Sequence, residues 1–138
     1  MKKLFFMAIV AVAAFGVSCA PTDVPSVEFY EESMTVSADG GDAIIPVRST
    51  GVDNVTIVLS NGDRWVIDEN GDRTPKDSWV KIVKVIEQYD DPTRALAVWD
   101  SGISLYVEPN TTGYERSATI IVQSFMVNDK ITLTQLAE

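Results

Sequence analysis

Oxygen-bearing side chains cluster between residues 63 and 72, at a spacing that could hold a hard cation. The segment Asp68-Glu69-Asn70-Gly71-Asp72 places carboxylate and amide groups at alternate positions, as a calcium loop does. The EF-hand pattern then requires glycine next and glutamate at the twelfth position, and these positions hold Arg73 and Trp79. The EF-hand therefore fails, and two interpretations stay open: an Asn-Gly turn, or a looser calcium site formed by Asp63, Asp68, Asn70 and Asp72.

Three aromatic residues stand beside charged residues near expected strand ends or turns, where they could bind a sugar. Trp65 follows Asp63 and Arg64, Tyr89 precedes two aspartates, and Trp99 precedes Asp100. Flat aromatic rings match the apolar faces of pyranoses, and neighbouring carboxylates supply hydrogen-bond acceptors. Two other interpretations remain open, since each ring could pack against the domain or an exposed cluster could dock a protein.

The composition excludes most catalytic devices. The chain has 138 residues, no histidine and one cysteine, so Ser-His-Asp triads, Cys-His pairs, histidine metal sites and an internal disulfide are all ruled out within it. Twenty acidic residues make some carboxylate pair inevitable by chance, so no single pair indicates catalysis. We expect a protein that is not an enzyme and needs no cofactor. A net charge of -9 also argues against nucleic-acid binding.

The N-terminal residues have the pattern of an export signal. Two lysines precede an apolar run over residues 4–17. This run is too short to span comfortably the hydrocarbon core of a bilayer, which is about 30 Å thick. The run ends in Phe15-Gly16-Val17-Ser18-Cys19 and resembles a bacterial lipoprotein signal, although such signals usually have leucine where Gly16 stands. We expect residues 1–18 to be removed, Cys19 to be acylated and residues 19–26 to form a tether. The alternative is that Cys19 is a bystander near an ordinary cleavage site.

Beyond the tether, the chain is predicted to form β-strands separated by turns. Residues 103–108 show the clearest pattern, because Ile103, Leu105 and Val107 alternate with polar or amphipathic residues. Pro46 lacks an N–H, so its strand is expected to lie at a sheet edge or to bend there. The predicted strands cover residues 27–37, 43–48, 52–59, 65–67, 79–88 and 95–99, followed by three more in the last third. The pattern predicts an all-β domain, a two-sheet sandwich of about seven to nine strands.

Several short motifs resemble, in their order, the BACON domain, the Bacteroidetes-associated carbohydrate-binding often N-terminal module. The motifs, which extend over residues 40–135, are Gly40-Gly41, Ser78-Trp79-Val80, Val107-Glu108-Pro109-Asn110-Thr111, Arg116-Ser117-Ala118-Thr119-Ile120 and Ile131-Thr132-Leu133-Thr134-Gln135. The resemblance covers residues 27–136 and implies an immunoglobulin-like sandwich, which we place over residues 27–138, in a cell-envelope protein. Together with the lipoprotein signal at Cys19, it leads us to expect an outer-membrane lipoprotein, on the cell surface or the periplasmic face. It also implies a family linked to glycan or mucin adhesion, or to a spacer role beside glycan-degrading modules.

Two functional hypotheses follow. One is a lipid-anchored module that binds glycan or mucin through Trp65, Tyr89 and Trp99, and the other is a structural, assembly or spacer subunit that docks onto another envelope protein. The segment 60–99 is longer and more polar than a minimal module needs. If this chain has a function of its own, we expect that segment to carry it. The motif residues Trp79, Asn110, Gly113 and Arg116 are assigned to the fold.

Overall fold

A computed structural model describes residues 24–60, 64–87 and 99–138. These residues form strands joined by turns and loops, and none forms a helix long and apolar enough to cross a membrane. The strands are β1 (Val27–Phe29), β2 (Ser33–Val36), β3 (Gly41–Ser49), β4 (Asn54–Leu59), β5 (Trp65–Ile67), β6 (Arg73–Pro75), β7 (Val80–Glu87), β8 (Trp99–Val107), β9 (Arg116–Ser124) and β10 (Val127–Gln135).

The strands form two sheets packed face to face. One sheet has four strands in the order β1-β3-β8-β7, and the other has six in the order β2-β10-β9-β4-β6-β5. Neighbouring strands pair antiparallel except for β2 with β10 and β4 with β6, which are parallel. The chain is therefore an immunoglobulin-like β-sandwich, and the predicted fold class is confirmed.

The core lies between the sheets and is formed by alternate residues of the long strands. In β8, Ile103, Leu105 and Val107 are buried, as the alternating pattern predicts, while the side chain of Tyr106 is exposed. The opposite sheet contributes Ile57, Ile120 and Leu133, each with none of its surface accessible. Burying one such aliphatic side chain stabilises a domain by about 1.5–3 kcal/mol, so this aliphatic layer is the main source of stability.

The segment predicted as one strand, residues 27–37, is two strands in different sheets, and Pro46 explains why. Next to the β1–β3 ladder, the Thr50 N–H donates to the Ser26 carbonyl (2.9 Å), so Ser26 and Thr50 form a hydrogen-bonded pair. In an antiparallel ladder, hydrogen-bonded pairs alternate with pairs that are not bonded. Continuing this alternation through Glu28 and Arg48 brings the next bonded position to Pro46, which has no N–H to donate. β1 ends at Phe29, and the chain crosses to pair as β2 with β10. Pro46 thus lies where β3 loses its outer partner, as expected from sequence.

The segment 60–99, where a private function is expected, belongs in part to the sandwich itself. β7 pairs with β8 along its length, with a register irregularity at Val83, and Val80 is fully buried. Arg73–Pro75, which lies between the predicted strands 65–67 and 79–88, is a short strand, and Trp99 belongs to the same strand as Ile103. The division of residues 27–37 and this extra strand add two strands to the nine predicted, and the joining of Trp99 to the strand of Ile103 removes one, so the described ranges contain ten.

Buried polar side chains close one end of the sandwich. Gln135 is completely buried, and its Nε2 donates to the carbonyls of Ser37, Ala38 and Glu108 at 2.8–3.2 Å. Its Oε1 accepts from Arg116 Nε (2.8 Å), and the Arg116 guanidinium lies 4.5 Å from the centre of the Trp79 ring. These bonds tie two loops and the start of β9 to the last strand, so Arg116 and Trp79 are part of the packing of the fold, as assigned from sequence.

Asn110 closes the same end in a similar way. Its side chain is fully buried, and its Nδ2 donates to the carbonyls of Tyr114 (2.7 Å) and Leu136 (3.0 Å). Gly113 in the same loop has φ = 78°, as expected for a residue that tolerates the left-handed region. We call this the closed end, because buried amides fix its loops.

The opposite end, which we call the tether end, contains the first described residues. Phe29 N–H donates to Asp129 Oδ2 (2.8 Å), and β2 runs parallel to β10, so the start of β1 lies beside the start of β10. The turn between β9 and β10 and the loop between β3 and β4 lie at this end too, since Asp53 N–H donates to the Gln123 carbonyl (2.8 Å). The tether and the β9–β10 turn therefore leave the sandwich on the same side.

Candidate functional site

The structure describes only part of the predicted aromatic site. Trp65 lies in β5, whereas Tyr89 lies outside the described residues. Trp99 is the first residue of β8, and its side chain is outside what the structure describes. Asp63 and Cys19 also lie outside the described residues. A shared platform formed by Trp65, Tyr89 and Trp99 therefore stays a prediction.

Trp65 is half exposed and held in one orientation. Its side chain is 50% exposed, and its indole Nε1–H donates to the carbonyl of Ile57 in β4 (3.0 Å). Because the only polar atom of the ring is bonded to the sheet, the exposed part of the ring is apolar. A fixed, apolar aromatic face is the geometry on which a sugar ring stacks.

Trp65 belongs to an exposed apolar strand at the edge of the larger sheet. Val66 and Ile67 are 58% and 60% exposed, so both faces of β5 present large side chains to solvent. We call Trp65, Val66 and Ile67 the β5 surface. Contiguous exposed apolar patches of this kind mark interaction sites more often than scattered single residues do.

Short ladders position the β5 surface. β5 pairs with β6 over three residues, and β6 pairs with β4 only at Arg73 and Thr56. Lys76 N–H donates to the Arg64 carbonyl (2.8 Å) beside the hairpin. With so few ladder bonds, the indole bond from Trp65 to Ile57 is an important attachment of β5 to the rest of the sheet.

The carboxylates of the acidic segment bind backbone amides. Asp68 Oδ1 accepts from the N–H groups of Asn70 (2.8 Å) and Asp72 (2.9 Å), which is an Asx-type turn. Asp72 is buried, and its Oδ1 accepts from Val55 N–H (2.7 Å), so it fastens the loop to β4. Both carboxylates therefore organise the turn that the sequence offered as one interpretation.

The described ranges give the calcium interpretation no further ligands. Within them, no group of three or more acidic or cysteine side chains could hold a metal ion. A cleft of about 310 Å³ opens beside Asp72, and its lining includes Asp53 and Glu87 together with Lys84, whose positive charge opposes a cation. Because Asp63 lies outside the described residues, the calcium site stays a prediction, and a lower melting temperature in chelator would support it.

Asp72 provides a pH-dependent prediction. Burial raises the pKa of its carboxyl above the ordinary value of 3.8, the Val55 N–H lowers it, and the charge of Asp68 raises it. A raised folded-state pKa contributes stability below the unfolded value that is lost as pH rises through the folded value. We expect wild type to gain stability relative to Asp72→Asn, which keeps an oxygen for Val55, as pH falls from about 7 to about 4. Urea midpoints of both proteins at the two pH values measure this, and a constant or reversed difference would contradict it.

A second exposed apolar surface lies at the β9–β10 turn, which sequence reasoning passed over as a loop. Phe125 and Met126 are 69% and 83% exposed, and Phe125 has φ = 53°, a left-handed conformation that is costly for an aromatic residue. Two side chains hold the turn: Asp53 accepts the Phe125 N–H, and Gln123 Nε2 donates to the Phe125 carbonyl (3.1 Å). We call Phe125 and Met126 the apolar turn.

The signal for the apolar turn was present in the sequence. Phe125 and Met126 place two large apolar residues between β9 and β10, where a hairpin normally has glycine, asparagine or aspartate. Residues that break local turn preference are often retained for function, since the strain must be compensated elsewhere. The absence of glycine, asparagine or aspartate from this hairpin was therefore the sequence feature that indicated a candidate functional surface.

Comparisons with known proteins identify no family. No family model matches the chain, and no curated protein matches it. Among solved structures, a Bacteroides ovatus GH5 xyloglucanase in complex with a XXXG heptasaccharide is similar over 82% of this chain and 19% of its own, at 19% identity and a TM-score of 0.47. Titin domain M4 is similar over 86% of this chain and 100% of its own, at 12% identity and a TM-score of 0.43. A Bacteroides thetaiotaomicron protein is similar over 88% of this chain and 96% of its own, at 14% identity and a TM-score of 0.39.

Proposed function

We propose that the chain is a non-catalytic binding module of a bacterial cell envelope, anchored by lipid at Cys19, and that it binds glycan or mucin. The observation that carries the proposal is the fixed, half-exposed ring of Trp65. The bond from its indole to Ile57 orients the ring before any ligand arrives, which lowers the entropic cost of binding. The lack of histidine and the structural use of Asp68 and Asp72 support a module that holds a ligand without converting it.

Binding to a glycan panel tests this proposal. The chain from residue 20 keeps all ten described strands, and we expect it to be retained by mucin or by a host or dietary glycan. Trp65→Ala should weaken that binding by about tenfold or more, because stacking on the ring is lost while the sandwich remains. Retention on immobilised glycans followed by titration calorimetry provides the measurement.

A matched control uses another exposed aromatic residue. Tyr114 is 77% exposed at the closed end, and its described hydrogen bonds are made by its backbone, so Tyr114→Ala should leave binding unchanged. Failure of wild type to bind any glycan on a broad panel, or equal binding by the Trp65→Ala variant, would reject the proposal.

The β5 surface also favours the second candidate function, a structural, assembly or spacer subunit that docks onto another envelope protein. β5 is the outermost strand of its sheet, and its neighbour β6 pairs with it on one side. An exposed apolar edge strand can accept a strand from a partner. Crosslinking on intact cells should then recover a partner that is lost in a Val66→Lys variant, and the absence of any crosslinked partner would count against this function.

A further inference from the structure

The tether limits the distance between the sandwich and the membrane. Four residues lie between Cys19 and Val24, the first described residue, and an extended chain spans at most about 17 Å over the five steps from Cys19 to Val24. An acylated Cys19 would lie in the bilayer surface, so the tether end of the sandwich would be held close to lipid headgroups. The apolar turn leaves the sandwich at this same end.

The apolar turn has the chemistry of a residue pair that enters a lipid interface. Phe125 and Met126 are both more than two-thirds exposed, and Val24, within the tether, is 76% exposed. Aromatic and long apolar side chains at the end of a hairpin gain stabilisation when they move from water to the boundary of the acyl chains. The Phe125 N–H donates to Asp53 and the Phe125 carbonyl accepts from Gln123, and these bonds hold the backbone of the turn in the conformation that leaves both side chains exposed.

Two acidic residues beside the apolar turn bind backbone amides. Asp53 accepts the N–H of Phe125, and Asp129 accepts the N–H groups of Phe29 (2.8 Å) and Lys130 (2.9 Å). Their carboxylates therefore satisfy the backbone rather than projecting beyond the turn. Their charge and the net charge of the chain still repel anionic headgroups, so a zwitterionic lipid surface fits this end best.

We infer that the sandwich rests on the membrane through the apolar turn, with Phe125 and Met126 at the headgroup boundary of a zwitterionic lipid surface. This inference rests on the proposed acylation of Cys19. It places the tether end against the lipid and directs the closed end away from it. The turn held by Asp53 and Gln123 would then present the exposed Phe125 ring to an apolar environment.

Fluorescence of the acylated full chain in vesicles tests the inference. The lipid occupies the Cys19 thiol, so Met126→Cys offers a single site for an environment-sensitive dye, and Tyr114→Cys at the closed end provides the matched control. In vesicles of phosphatidylcholine and phosphatidylethanolamine, we expect blue-shifted emission and quenching by nitroxide lipids at position 126 and neither effect at position 114. Phe125→Asn, which tolerates the left-handed conformation, should keep the urea midpoint and reduce the quenching at position 126 by about twofold.

The outcomes separate the inference from the proposed anchor. Protein that does not float with vesicles overturns both, whereas protein that floats with the dye at position 126 in water overturns the inference alone. Equal quenching at positions 114 and 126 also overturns it, as does blue-shifted emission at position 126 without vesicles, which would indicate a protein contact. Added phosphatidylglycerol should reduce the quenching, and an increase would contradict the charge argument.

Discussion

Replacing Gly40 by alanine is expected to lower the free energy of unfolding by about 3 kcal/mol or more. A Cβ at this position would lie 2.3 Å from the Val107 carbonyl oxygen and 2.9 Å from the Glu108 carbonyl carbon, and both are backbone atoms that cannot rotate away. Gly40 also has φ = 67°, where a side chain is strained even in open space. Urea unfolding followed by tryptophan fluorescence measures the loss.

Gly113→Ala is the matched control for this prediction. Gly113 has a similar φ of 78°, but no atom beyond its two chain neighbours lies within 4 Å of the position that a Cβ would take, so only the conformational cost of about 1 kcal/mol applies. Equal losses in the two variants would show that the close approach of Gly40 to the chain after β8 does not determine stability.

Gln135→Leu is expected to destabilise the domain by about 3 kcal/mol, the second largest effect. Leucine has a similar volume but offers no donor to the carbonyls of Ser37, Ala38 and Glu108 and no acceptor to Arg116. Buried polar groups without partners cost more than the bonds themselves contribute, since water cannot reach them.

The control for Gln135 is Gln123→Leu at the tether end. Gln123 is exposed and donates a single side-chain bond, to the Phe125 carbonyl, so we expect a loss below about 1 kcal/mol. A Gln135→Leu variant as stable as Gln123→Leu would mean that the closed end is held by apolar packing alone.

The sandwich could be predicted from sequence because its long strands are half buried. Alternation at Ile103, Leu105 and Val107 identifies the core face of β8 directly, and the same pattern identifies Ile131 and Leu133 in β10. Such local periodicity depends only on which face of a strand meets the core. The sheet to which a strand belongs is a different question, and local patterns do not answer it.

The errors in strand assignment came from long-range pairing. Residues 27–37 form two strands because Pro46 has no N–H to continue the β1–β3 ladder. Pro46 is distant in sequence from residues 27–37, so their own pattern does not reveal the division. The short strand Arg73–Pro75 exists because it meets Trp65–Ile67 and Thr56, which neither its composition nor its length indicates. Residues with few local contacts are fixed by partners that sequence alone does not specify.

The candidate site could be predicted only residue by residue. Trp65 was identified as a candidate from its position near a turn, but the indole bond that orients it could not be inferred, because the acceptor is a backbone carbonyl, which every residue has. The sequence left both a turn and a looser calcium site open for Asp68 and Asp72, and only the positions of the Asn70 and Val55 amides show that their carboxylates bind the backbone. Phe125 was missed because its conformation contradicts the usual preference of its residue type.

The most direct test of the proposed glycan site is a titration of protein labelled with ¹⁵N at its tryptophans. The chain contains three tryptophans, whose indole N–H resonances can be assigned with Trp65→Phe and Trp79→Phe variants. With released mucin glycans or plant oligosaccharides, we predict a saturable shift of the Trp65 resonance and none of the Trp79 resonance, which lies beneath Arg116 at the closed end. Unchanged resonances with every glycan, or shifts confined to Trp79, would contradict the account.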